Sequence, residues 1–237
     1  VIDQSSSMLA QDFKPNRLEA AKNVAKTFIK DREGDRLGII VFAGESYIQC
    51  PLTRDIDVLL EFTDEIEIID REHDGTAIGL AIANSINRLR DSEAKSKTII
   101  LLSDGSNNQG ELEPITAAEL AAKFDIKIYT VAAGTHGLAP YPVIDAWGRQ
   151  VIQKVQVDVD EESLKEIADI TGGQFFRATD NKSLKKVYEE IDKLERTEIE
   201  VTEYQNYTEL YSWLTIPAAF ASIFFIFLSR GIFHKLF

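Results

Sequence analysis

Cysteine and histidine are nearly absent from this chain. A single cysteine, Cys50, excludes any disulfide within the 237 residues and leaves a zinc–thiolate centre without enough ligands. The three histidines, His73, His136 and His234, lie far apart and show no ligand spacing. Basic runs are also lacking. Lys and Arg number 26 against 39 Asp and Glu, for a formal net charge of −13. Nucleic acid is bound by neutralising its phosphates, so it is not the expected partner. No internal repeat or low-complexity segment is present. With 44% hydrophobic and 27% charged residues, the composition is that of a globular protein rather than a disordered one.

What is there is an alternation of short apolar runs and amphipathic stretches. Asn16 to Lys30 carries Leu18, Ala21, Ala25, Phe28 and Ile29 at three- and four-residue intervals, which predicts a helix. Arg36–Ala43 reads as a buried strand, with Ser46–Cys50 as a hairpin partner. A short helix is expected over Asp55–Phe62, and a second from Thr76 to about Arg90. Lys97–Leu102 and Ile126–Ala133 read as strands, with a helix over Pro114–Phe124 between them. Residues 135 to about 157 break this rhythm. Gly137, Pro140, Pro142 and Gly148 punctuate a loop, and strand-like alternation follows around Val151, Val155 and Val157. Tyr141 and Trp147 in this segment are candidates for exposed anchors of a partner surface. A helix over Glu161–Ile170, a strand over Gln174–Ala178 and a last helix to about Leu194 complete the pattern, and Arg196–Tyr204 reads as polar and extended. Strands alternating with helices imply an α/β, doubly wound, mostly parallel sheet with helices on both faces.

Sheets of this class place ligands at the loops that leave the C-terminal strand ends. Three polar loops qualify. The first holds Asp3, Ser5 and Ser7, directly after Val1-Ile2; the second holds Thr76; the third holds Asp104, after the Lys97–Leu102 strand. Two carboxylates and three hydroxyls are hard oxygen donors. They suit Mg²⁺ or Mn²⁺ rather than zinc or copper, which favour His and Cys. Three of the five are neutral, so a divalent cation held there keeps charge to offer an external carboxylate, whereas Ca²⁺ cages use more carboxylates.

The segments DQSSS, DGT and SDG, in that order, resemble the signature of the von Willebrand factor A domain and its metal-ion-dependent adhesion site. The residue between the two serines is often glycine in that family and is Ser6 here. The resemblance implies Mg²⁺ (or Mn²⁺) at Asp3, Ser5, Ser7, Thr76 and Asp104. It also implies a partner protein that supplies an Asp or Glu carboxylate, and no catalytic residues. The stretches LAQDFKPNRLEAAKNVAKTFI, GESYIQCPLT and DGTAIG, with the apolar tail, are similar to the BatA-type aerotolerance regulators of bacteria. That similarity implies a membrane-anchored von Willebrand A protein in a Bat-type complex, linked to stress or oxygen tolerance and to MoxR-type AAA+ ATPases. A structural subunit with a vestigial metal site is the alternative. A metal-dependent phosphoryl-transfer enzyme is a further one, although Ser5 stands where such an enzyme would carry a second carboxylate and no GxxxxGK[ST] loop is present.

The tail carries one long uncharged run. Tyr211 to Ser229 holds no Asp, Glu, Lys or Arg, and about 19 residues make roughly 28 Å of helix, a bilayer core. The expected organisation is therefore a von Willebrand A domain over 1–195, a tether over 196–209, a transmembrane helix over 210–229 and a short basic tail over 230–237. Arg230 and Lys235 follow the span, which predicts a cytoplasmic C-terminus and an extracytoplasmic domain on a bacterial inner membrane. Only two residues precede Asp3, whereas buried strands run about four to eight, so the first strand is expected to begin upstream of Val1.

Overall fold

The structure is a computed structural model. It describes residues 1–204 except Arg71, Glu72, Lys95, Gly105, Ser106, His136, Ala146 and Asp158, together with Thr215, Pro217 and 220–222, and describes side chains through Arg196 and at those last five positions. The chain divides into two compact units, Val1–Glu195 and Arg196–Phe237.

β1 (Ile2–Asp3) runs into a 3-10 turn over Ser6–Leu9, followed by α1 (Arg17–Lys30). Next come β2 (Leu37–Phe42), β3 (Ser46–Thr53), α2 (Ile56–Asp64), α3 (Ile78–Leu89) and β4 (Lys97–Ser103). Then follow α4 (Pro114–Lys123), β5 (Ile126–Ala133), β6 (Gly137–Ile144), β7 (Gln150–Val157), α5 (Glu161–Thr171), β8 (Phe175–Ala178) and α6 (Asn181–Tyr204). The helix ends follow local chemistry. Asn16 caps α1 by accepting from the Glu19 backbone N–H at 2.8 Å, and Gly172 ends α5 at φ 70°, a conformation glycine adopts without a Cβ penalty.

The main sheet has the order β3-β2-β1-β4-β5-β8. All its pairings are parallel except β2 with β3. Winding reverses between β1 and β4: the chain adds β2 and β3 on one side and β5 and β8 on the other. Such a switch point leaves a crevice at the C-terminal strand ends. Helices cover both faces. One apolar layer gathers Leu18, Ala21, Ala25 and Ile29 of α1, Leu59 of α2, and Leu184 and Ile191 of α6. The other gathers Ile78, Ala81, Ile82 and Ile86 of α3, Ala117 and Ala121 of α4, and Leu164 and Ile167 of α5. A side chain such as Ile82, fully buried, contributes about 2 kcal/mol by leaving water. β1 is two residues long, and a cavity of about 160 Å³, bordered by Val1 and Ile2, is lined by Leu37–Ile40 of β2 and Thr98–Ile100 of β4.

Two expectations need correction. The segment read as a proline-punctuated loop is a strand: β6 contains Pro140 and Pro142 and pairs antiparallel with β7 in a separate two-stranded sheet. Proline removes a ladder donor but is tolerated where a strand lies at an edge, as both strands of a two-stranded sheet do. The segment read as extended, Arg196–Tyr204, is helical, because α6 continues through Tyr204. The expected span over 210–229 lies outside the described residues except at five positions. Among the described residues no helix is long and apolar enough to cross a membrane.

Candidate metal centre

Asp3 ends β1, and Asp104 follows β4, its neighbour in the sheet. The register pairs Ile2 with Leu102. Asp3 therefore lies beside Ser103, whose hydroxyl donates to Asp3 Oδ2 at 2.6 Å. The other oxygen, Oδ1, accepts the Ser5 backbone N–H at 2.9 Å. Asp3 has no exposed surface, and Ser5, Thr76 and Asp104 are buried. The Ser5 and Ser7 hydroxyl oxygens are 3.0 Å apart, which places two neutral donors together in the first loop.

The second loop is tied to both others. Asp74 accepts the Ser6 backbone N–H at 2.9 Å and the Ser6 hydroxyl at 2.5 Å, so the residue between the two candidate ligands anchors the first loop to the second. Burial alone would raise the Asp74 carboxyl, but the Ser6 hydroxyl and backbone N–H hold it below its ordinary value. Thr76 donates its N–H to Asn108 Oδ1 at 2.9 Å, and its carbonyl accepts from the Asn108 and Gln109 backbones. α3 begins two residues after Thr76. Its first turn is satisfied from outside, by Asn107 Oδ1 accepting the Ile78 N–H at 2.9 Å. The three loops are thus hydrogen-bonded to one another at the switch-point edge.

The electrostatics fit a cation. Burial first, and the charge of Asp104 second, push the Asp3 carboxyl up to about 7, against the hydrogen bonds from Ser103 and Ser5. Asp104 meets one cation, the Arg17 guanidinium at 3.3 Å, and a divalent ion would add positive charge between the two buried carboxylates. Nowhere among the described residues do three or more His, Cys, Asp or Glu gather as a cage. A centre here draws on hydroxyls, and the all-oxygen set of Asp3, Ser5, Ser7, Thr76 and Asp104 suits Mg²⁺ or Mn²⁺.

The von Willebrand factor type A domain model matches residues 1–190. The chain belongs to the von Willebrand factor type A family. Its von Willebrand A fold is similar to that of BatB, a conserved hypothetical protein of Bacteroides thetaiotaomicron, at TM-score 0.68 and 32% identity, covering 82% of this chain and 96% of that one. An aerotolerance-related membrane protein of Bacteroides fragilis is similar at TM-score 0.65 and 30% identity, covering 81% and 96%. At 23% identity, covering 81% of this chain and 43% of that one, a mussel byssus protein, proximal thread matrix protein 1, shares the fold at TM-score 0.62; its structure carries a zinc-occupied MIDAS motif. An uncharacterized protein of Borreliella burgdorferi is 30% identical over 96% of this chain and 67% of its own length. A UPF0353 protein of Nocardia farcinica is 32% identical over 81% and 61%. The chain therefore spans about three-fifths to two-thirds of these curated relatives.

Several residues of the site were not singled out from sequence. Asp74, Asn107 and Asn108 serve it as loop ties, and Asp12 and Arg17 bear on it through charge: Arg17 Nη1 donates to Asp104 Oδ2 at 3.3 Å. One signal was available. Arg17 occupies the first helical position of α1, where the helix dipole disfavours a cation, so nearby carboxylates are needed. Of the two candidate anchors, Trp147 is 80% exposed, whereas Tyr141 is half-buried and donates its hydroxyl to the Ser6 carbonyl at 2.9 Å.

Proposed function

We propose that this chain is a membrane-anchored von Willebrand A protein that binds a partner protein through Mg²⁺ or Mn²⁺. The ion is held by Asp3, Ser5, Ser7, Thr76 and Asp104, and a carboxylate of the partner completes its coordination. The observation that supports this reading is the buried Asp3 beside Asp104 at the ends of adjacent parallel strands, with the Ser5 and Ser7 hydroxyls together in the first loop. The domain occupies 1–195, the tether 196–209, the anchor 210–229 and the basic tail 230–237, with the domain on the extracytoplasmic side. The likeness to BatB and to an aerotolerance-related membrane protein supports a place in a Bat-type complex, with a functional link to MoxR-type ATPases. No catalytic residue is proposed, and a metal-dependent phosphatase activity abolished by Asp3→Ala would overturn that.

Thermal melting tests the metal. Ligand at about 100 times its dissociation constant stabilises a fold by about 2.7 kcal/mol, so saturating Mg²⁺ or Mn²⁺ raises the melting temperature by a few degrees. Ser5→Ala and Asp104→Ala abolish the rise. The alternative, a structural subunit with a vestigial site, is favoured by one observation, the Arg17 guanidinium already set against Asp104. It requires that the unaltered chain show no rise at all.

A further inference from the structure

Arg17 is the largest side chain fully buried in the protein among the described residues, and it is a charge. Its guanidinium is gripped on one side by Asp12, with Nε to Oδ1 at 2.8 Å and Nη2 to Oδ2 at 2.6 Å. On the other side Nη1 reaches Asp104 Oδ2 at 3.3 Å. Asp12 is itself held, since Oδ2 also accepts the Thr135 N–H at 3.0 Å and the Thr135 hydroxyl at 3.2 Å. The backbone makes room for this group. A Cβ at Gly134 would come within 2.8 Å of Nη2 and 2.9 Å of Cζ. Burying an arginine is costly unless carboxylates pair with it. A cation in the first turn of α1 also opposes the helix dipole. Under both penalties, the guanidinium is held bidentately by Asp12 and directed at Asp104.

We propose that Arg17 is a positioning residue of the metal centre: a resident cation that holds Asp104 through Oδ2 and offsets its charge, so that a bound metal keeps charge to attract a partner's carboxylate. This inference rests on the metal reading above. Asp3 and Asp104 alone would balance a divalent ion; Arg17, reaching Asp104 at 3.3 Å, offsets part of that ligand charge, so an ion entering among three hydroxyls keeps part of its own. Arg17 thus trades metal affinity for attraction to an acidic ligand, and Asp12 tempers the repulsion that Arg17 imposes on the metal.

The test is Mn²⁺ affinity of the full 237-residue chain in detergent, measured by electron paramagnetic resonance, with circular dichroism melting to confirm folding. Charges a few ångströms away in a partly buried site change ion affinity by roughly tenfold. Arg17→Gln therefore binds Mn²⁺ about tenfold more tightly, while Asp12→Asn, which touches no ligand, binds it several-fold more weakly. Arg17→Lys stays near the unaltered value. The pair Asp12→Asn/Arg17→Gln, which removes one charge of each sign and serves if Arg17→Gln does not fold, returns to within about threefold of it. A merely structural role weakens binding in every variant, so a folded Arg17→Gln with equal or weaker affinity overturns the inference. If that variant is unfolded, a pair variant that falls well below the unaltered chain does the same. Failure of the unaltered chain to bind Mn²⁺ overturns the metal reading itself.

Discussion

At the scale of single residues, the site holds an unfavourable charge arrangement that Arg17 relieves in part, through Asp104. Asp3 is fully buried, accepts from Ser103 and Ser5, and faces the charge of Asp104. With its carboxyl pushed up to about 7, Asp3 is charged at pH 8 in the metal-free protein, and its desolvation and the neighbouring Asp104 act against folding. Asp3→Asn keeps the shape: the amide oxygen still accepts from Ser5, and the amide nitrogen can donate to the Ser103 oxygen. In EDTA at pH 8 this variant melts higher than the unaltered chain, by an amount equivalent to about 1–3 kcal/mol. With Mg²⁺ added, the unaltered chain gains stability and the variant does not. A variant that melts lower in EDTA would show that the pair is not a source of strain. Asp3, Ser5, Ser7, Thr76 and Asp104 could be read in sequence because each sits in a short motif whose chemistry is local. Asp12 and Asp74 could not, because their roles depend on which loops the sheet brings together, Asp74 lying 68 positions after Ser6, and Arg17 left only the signal of a cation at a helix start.

At the scale of elements, the loops are held by side chains that belong to other segments. α3 lacks a cap of its own at Ala77 and takes one from Asn107, in the loop that carries Asp104. Asn107→Ala therefore removes a helix cap and a tie between the second and third loops together. The expected loss is about 1–2 kcal/mol in chemical denaturation, with a weaker Mg²⁺-induced rise in melting temperature. An unchanged denaturation midpoint would show that water replaces this cap at no cost. Amphipathic periodicity made the helices legible, as in α1 and α3, where the expected apolar faces lie in the core. β6 was hidden, since Pro140 and Pro142 break the local strand signal and show their pairing only with β7, which closes on β6 through the Gly148 N–H donated to the Asp145 carbonyl. The hairpin is also docked: Gln11 donates its N–H to the Pro140 carbonyl and Tyr141 donates to Ser6. Leu138, Ile144, Trp147 and Ile152 remain exposed on it, so the hairpin presents apolar surface while Tyr141, midway along β6, touches the loop of Ser5 and Ser7.

At the scale of the whole molecule, the question is which compartment the metal centre faces. On the proposed function, a chain of net charge −13 recruits a carboxylate against general repulsion, and a bound divalent ion would supply the local attraction. On the proposed topology, Tyr211–Ser229 crosses the membrane with Arg230 and Lys235 on the cytoplasmic side, and the domain with its switch-point crevice lies outside. On that topology a cytoplasmic ATPase cannot touch the site, so any link to a MoxR-type enzyme is made without direct contact at the metal centre. Protease added to intact spheroplasts expressing the chain decides between the two arrangements. An outward domain is cleaved at exposed loops without lysis, and saturating Mg²⁺ slows that cleavage by suppressing local opening. A domain cut only after lysis would reverse the orientation and place the metal centre within direct reach of a cytoplasmic partner.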